Sequence, residues 1–217
     1  GEKPSDIAVL FRRVAECGAF AEALRQLGVK INMEDAVDAS DPVVELMISI
    51  LSVVNNPSDR LSKAKIARIS MEGATTGAII DSLLTDSDNT YLDSVPMVRK
   101  TLEAAEQLRG YPVSKAVESL VIELNLYDRV KEIKEVSLGK EKLDSIISSA
   151  LKYENHALAM ALPATLNGFI IHISGDDGIS IPGDTEGVNI LTMHKSKGLE
   201  WKNVIIGSLS DDELSDF

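Results

Sequence analysis

The sequence predicts an α/β fold that is predominantly helical. Apolar, β-branched runs stand near both ends, Ile7 to Arg12 at one and Val188 to Ile206 at the other. Short runs of this kind suit buried strands. Between them, apolar residues recur at helical spacing over most of the chain. Aromatics make up only 4% of the 217 residues, so the core must be built from Leu, Ile, Val and Ala. An aliphatic core under polar-faced segments suits helices.

Ile7-Ala8-Val9-Leu10-Phe11-Arg12 reads as a buried parallel strand, with Arg12 and Arg13 where it ends. A helix over Ala15 to Leu27 follows, with Phe20, Ala23, Leu24 and Leu27 on one side and Gly28 as its stop. Val29-Lys30-Ile31 is a second short strand, giving a βαβ-type opening. Asp41-Pro42 starts a helix, capped by Asp41 or Ser40 with proline in the first turn. Val43, Leu46, Met47, Ile50, Leu51 and Val54 recur along it, and Asn55 to Asp59 turn the chain.

Further helices are expected over Leu61 to Ile69, Gly77 to Leu84, Met97 to Leu108, Ser114 to Leu124, Tyr127 to Val136 and Lys140 to Tyr153. Thr85 to Asp93 reads as a polar loop, and Pro163 starts a last helix through Leu166, Phe169, Ile170 and Ile173. Gly175 to Gly187, rich in Gly, Asp, Ser and Pro, is a loop with room for a small hairpin. The expected organisation is an α/β piece at 1–35, an all-helical insertion at 36–174, and a linker loop and return to the first piece at 175–217.

The net charge of −12 argues against autonomous nucleic-acid binding through a broad basic face. Any such contact is confined to one local surface. Cys17 is the only cysteine, which leaves no intramolecular disulfide and no Cys-rich zinc site, and fits a reducing, cytoplasmic setting. His156 and His172 have no second metal ligand at useful spacing, so no metal site is expected. No apolar run approaches the ~20 residues a membrane span needs, and no signal peptide stands at the start. Gly1 reads as a remnant of tag removal, and the end at Phe217 suggests a piece cut from something longer.

The chemistry concentrates in Thr192-Met193-His194-Lys195-Ser196-Lys197-Gly198-Leu199-Glu200-Trp201, a dense polar loop between two apolar strands. Loops on a rigid scaffold are where function gathers. Taken singly, these residues have plain structural readings: solvated lysines, a hydrogen-bonding histidine, a carboxylate beside a turn. Together they resemble motif V of the superfamily 1 DNA helicases of the UvrD/RecB type, and the His-Lys-Ser-Lys form is more similar to the RecB and AddA branch than to UvrD. Ile7 to Arg12 with Leu27-Gly28-Val29, and the helix ending in Asn56-Pro57-Ser58-Asp59, are similar to further phrases of that family.

The resemblance implies a partial RecA-like P-loop NTPase domain (2A), interrupted by a helical subdomain (2B). The parent would be an ATP-dependent helicase moving 3′ to 5′ along single-stranded DNA and unwinding duplexes in repair or recombination. By the same resemblance Glu200 accepts from ribose hydroxyls and Gly198 lets the backbone approach the nucleotide, where a Cβ would obstruct. Thr192, His194, Lys195 and Lys197 face the single strand, with Arg12 a further candidate. ATP and Mg²⁺ belong to the parent. Its other domains and single-stranded and duplex DNA are the implied partners, and no membrane is. G-x-x-x-x-G-K-[ST] is absent, as are the Walker B acids and the closing arginine motif, so these residues alone are expected to be inactive. Two alternatives stay open: a helical interaction or regulatory module with a degenerate motor loop, and one component of a helicase–nuclease.

Overall fold

A computed structural model describes residues 2–33, 35–37, 39–70, 74–85, 89–133, 138–175, 179–181 and 183–208. The chain divides into two compact units, residues 1–35 with 181–217, and residues 36–180.

The first unit is built on a four-stranded, all-parallel sheet. Its strands are β1 (Ile7–Phe11), β2 (Ile31–Asn32), β5 (Val188–Thr192) and β6 (Asn203–Ile206), in the order β2-β5-β1-β6. Helix α1 (Val14–Gln26) connects β1 to β2 and packs on β5. Its buried face is Cys17 and Ala21 with Leu24 beside them, not the expected Phe20, Ala23 and Leu27. Small residues let the helix lie close to the sheet, and Leu27 stays 77% exposed. The second strand starts two residues later than expected, because Val29 donates back to Leu24 and completes the helix end. Val9, Phe11, Ile31, Met33 and Ile190 complete this small core. Val204, Ile205 and Ile206, expected in a buried sheet, are about half exposed, and among the described residues β6 pairs only with β1.

Strands β3 (Asp35–Ala36) and β4 (Ser180–Ile181) lie where the sequence passes between the units. Of the expected loop over 175–187, residues 176–178 and 182 lie outside the described residues, and β4 is its described regular element.

The second unit is helical. Helix α2 (Pro42–Asn55) is buried on most sides, through Val43, Val44, Leu46, Met47, Ile50, Leu51 and Val53. Asp41 caps it by accepting from the Val43 amide at 3.0 Å, and its other carboxylate oxygen pairs with Lys142 at 2.6 Å. Each fully buried aliphatic side chain contributes about 1.5–3 kcal/mol, so α2 anchors the unit. Around it stand α3 (Arg60–Ser70), α4 (Thr76–Thr85), α5 (Thr90–Ser94), α6 (Pro96–Gln107), α7 (Val113–Glu123), α8 (Leu126–Glu132), α9 (Gly139–Ala159) and α10 (Leu166–Ser174).

Several expectations shift here. Helix α5 occupies part of the expected polar loop, since Leu92 is buried and anchors a short turn. Helix α9 runs six residues past Tyr153, and Leu151, expected inside, is 54% exposed. The last helix begins at Leu166 rather than Pro163, because Thr165 caps it by accepting from the Gly168 amide at 3.1 Å. Residues 134–136 of the expected helix after Tyr127 lie outside the described residues. No described helix is long and apolar enough to cross a membrane.

Candidate functional site

Because the four strands of the first unit run parallel, their carboxyl ends share one edge, where open α/β sheets hold their ligands. Strand β1 delivers Arg12 to that edge, and β5 runs directly into the polar loop. Phe11 stands opposite Thr192 in register, and the Met193 amide donates to the Phe11 carbonyl at 2.9 Å. On the other side the Gly207 amide donates to the Leu10 carbonyl at 2.9 Å. The start of the loop is therefore fixed relative to Arg12 by the sheet ladder.

The loop then braces itself. Thr192 is buried, and its Oγ1 accepts from the Lys195 amide at 3.3 Å while its carbonyl accepts from the Ser196 amide at 3.1 Å. The Ser196 hydroxyl donates to the Met193 carbonyl at 2.8 Å, and the Leu199 amide donates to the Ser196 carbonyl at 3.0 Å. Successive turns satisfied by their own side chains hold a loop without a second element against it. Gly198 has φ +84, and a Cβ added there would meet nothing within 4 Å. Its glycine answers to the left-handed dihedral, and the space outside it is open.

With its polar groups spent inward on the backbone, the loop turns its charged ends to solvent. His194, Lys195, Lys197 and Glu200 lie toward solvent, as do Arg12 and Arg13 at the end of β1. Beneath the loop lies a cavity of about 270 Å³, lined by Val14, Cys17, Asn32, Met33, Thr192, Lys195, Leu199 and Trp201 among others. Burial pushes the Cys17 thiol up from its usual range, opposed by a backbone hydrogen bond and more weakly by the Lys195 cation. Within a chain of net charge −12, Arg12, Arg13, His194, Lys195 and Lys197 lie exposed around this end of the sheet, with the exposed Glu200 further along the loop. Cations in a fixed array suit phosphate oxygens, and an exposed carboxylate accepts from hydroxyl donors.

The structure thus brings Arg12 and Thr192 together at the carboxyl end of the sheet, where the loop starts into His194 and Lys195, and leads the loop on through Lys197, Gly198 and Glu200 toward Asn203, which pairs with Ile7 at the opposite end of β1. Thr192 differs from the rest in being buried at the root of the loop. The bracing Ser196 is not among the residues expected from the sequence, and neither is Asn189, buried in β5 behind the loop. The signal for Asn189 was present: an amide inside the apolar run Val188 to Leu191. His156 and His172 are exposed on α9 and α10, and the His172 ring stacks with Tyr153 at 5.7 Å. Among the described residues no group of three or more His, Cys, Asp or Glu is placed to hold a metal ion.

Residues 89–216 match the UvrD-like helicase C-terminal domain. Over 94% of its length the chain is 25% identical to an ATP-dependent helicase/nuclease subunit of Thermoanaerobacter pseudethanolicus, covering 18% of that protein. It is 21% identical to the ATP-dependent DNA helicase PcrA of Bacillus subtilis, over 96% of the chain and 32% of the relative. With the ATP-dependent DNA helicase srs2 of Schizosaccharomyces pombe the identity is 23%, over 96% of the chain and 28% of the relative. The chain spans a third or less of each of these relatives.

Proposed function

This chain belongs to the UvrD-like helicase C-terminal domain family, and from that premise we propose that it is part of the motor of an ATP-dependent DNA helicase. Residues 1–35 form the first part of a RecA-like 2A domain, 36–174 the inserted 2B subdomain, and 175–217 a linker loop and the return to 2A. The parent moves 3′ to 5′ on single-stranded DNA and unwinds duplexes in repair or recombination. What supports this most is the placement of Arg12 and the start of the His194–Glu200 loop together at the carboxyl ends of the parallel strands β1 and β5.

In this reading His194, Lys195 and Lys197 hold the sugar–phosphate track, with Arg12 at its side. Thr192 contributes from the root of the loop, since a hydroxyl that accepts from Lys195 still has its own proton to give. Glu200 accepts from the ribose hydroxyls of the nucleotide. Gly198 leaves the backbone open for that approach. The Glu200 carboxylate, an acceptor, fits the hydroxyl donors of a ribose, and the chain carries no G-x-x-x-x-G-K-[ST] to cradle a triphosphate. Other parts of the parent cradle the phosphates and Mg²⁺. ATP hydrolysis supplies the free energy of the motor cycle, and this loop, touching nucleotide and strand, couples the two. Residues 1–217 alone hydrolyse no ATP.

The test uses the full-length parent. Glu200→Ala weakens ATP use, and His194→Ala removes the stimulation of ATP hydrolysis by DNA. Wild-type behaviour of both variants refutes these roles. The similarity to helicase/nuclease subunits favours one refinement, a parent that also carries a nuclease domain. DNA degradation by the full-length protein, abolished separately from its ATPase, decides it.

A further inference from the structure

The feature that the helicase reading does not use is a buried amide at the opposite end of the same sheet. Asn189, 9% exposed in β5, makes long-range hydrogen bonds to two other segments of the unit. Its Oδ1 accepts from the Asn32 Nδ2 of β2 at 2.9 Å. Its Nδ2 donates to the carbonyls of Ser5 and Ile7, each at 2.9 Å, at the entry to β1. One side chain thereby ties β2 and β1 to the strand between them.

We propose that Asn189 is the register key of this sheet, and so a positioning residue for the His194–Glu200 loop. Strand β5 reaches the sheet only after the whole of the second unit has intervened in sequence. A parallel strand buried on both faces is a near-continuous apolar run, so hydrophobic patterning specifies its register weakly. A slip of one residue would exchange the faces of Ile190 and Leu191 at little cost in buried area. It would also move Thr192 away from Phe11, and with it the loop away from Arg12. A buried polar group that finds partners in one register only removes that freedom, and fixing register is the best-attested use of such groups. In any slipped register the amide of Asn189 and the carbonyls of Ser5 and Ile7 lose one another, and unpaired buried polar groups are costly.

The inference rests on the site reading above, and a double-mutant cycle separates the two. The full-length parent is compared with Asn189→Leu, His194→Ala and both together, reading the dissociation constant for a single-stranded oligonucleotide. If Asn189 acts through the loop, each single variant raises that constant by about tenfold and the pair by little more than either, since coupled residues are not additive. Independent effects that multiply to roughly a hundredfold overturn the register key while leaving the site reading intact. A silent His194→Ala overturns both. If Asn189→Leu does not fold, Asn32→Leu, which removes one of the bonds, is placed in the same cycle. There too multiplicative effects overturn the proposal, and non-additive ones support it.

Discussion

The Oγ1 of Thr192 accepts the amide of Lys195 at 3.3 Å, so the loop's first turn is held by the side chain that ends β5. Replacing Thr192 with Val keeps the shape and removes the oxygen that accepts from the Lys195 amide. The expected loss is about 1 kcal/mol of stability, together with weaker DNA stimulation in the parent, because Lys195 and His194 are no longer presented as a set. Thr192→Ser keeps the oxygen and is expected to restore most of both. Equal behaviour of Val and Ser variants, read by denaturant midpoint and by DNA titration, would contradict the bracing.

Lys195, Lys197 and Arg12 are cations at one solvent-facing edge, and if each neutralises a phosphate its loss must show in the salt dependence. For single strands the slope of log affinity against log salt changes by ~0.7 for each phosphate contact. Each single Ala variant of the parent is expected to flatten the slope by about that amount while leaving base preference alone. Oligonucleotide binding measured across salt concentrations checks it, and an unchanged slope removes that residue from the track.

Much of this architecture was legible because its signals are local. The Asp41-Pro42 start, the recurrence of Val43, Leu46, Met47, Ile50 and Leu51 behind it, and the strand–loop–strand pattern around His194 each follow from residues close in sequence. What escaped depends on partners far away in the chain. Lys63 reads as a surface residue of α3, yet it is 2% exposed because it pairs with Asp93 on α5. Phe20 and Leu27 look like core beside Cys17 and Ala21, but sheet proximity selects the small pair. Val204 to Ile206 have the composition of a central strand and occupy an edge. Composition states what a segment can bury, and only topology states whether anything is there to bury it.

Two glycines offer a paired test of close packing. A Cβ on Gly187 would lie 2.6 Å from backbone atoms of Ile31 and Lys30, which cannot swing aside as a side chain can. Gly187→Ala is expected to destabilise by roughly 2–3 kcal/mol. Gly18, within α1, would meet nothing within 4 Å. Gly18→Ala is expected to stabilise by about 0.5–1 kcal/mol, since alanine loses less backbone freedom on entering a helix. Denaturant midpoints at unchanged slope measure both, and a neutral Gly187→Ala would mean that the chain entering β5 does not approach β2 this closely.

Tyr127 and Asp144 give the second unit a pH signature. The phenol donates to the Asp144 carboxylate at 2.6 Å. That hydrogen bond, aided by burial and by the negative charge of Asp144, pushes the phenol up to about 12 from its usual 10. A group whose pKa is raised on folding holds its proton more tightly in the folded chain. Its stabilising contribution is therefore complete below pH 10 and is lost as the pH climbs from about 10 toward about 12. Tyrosinate absorbance should show one of the four tyrosines titrating late. Tyr127→Phe should remove that late step, and Asp144→Asn should bring it back toward the ordinary value. A late step that survives Asp144→Asn unchanged assigns the shift to burial instead of to the carboxylate.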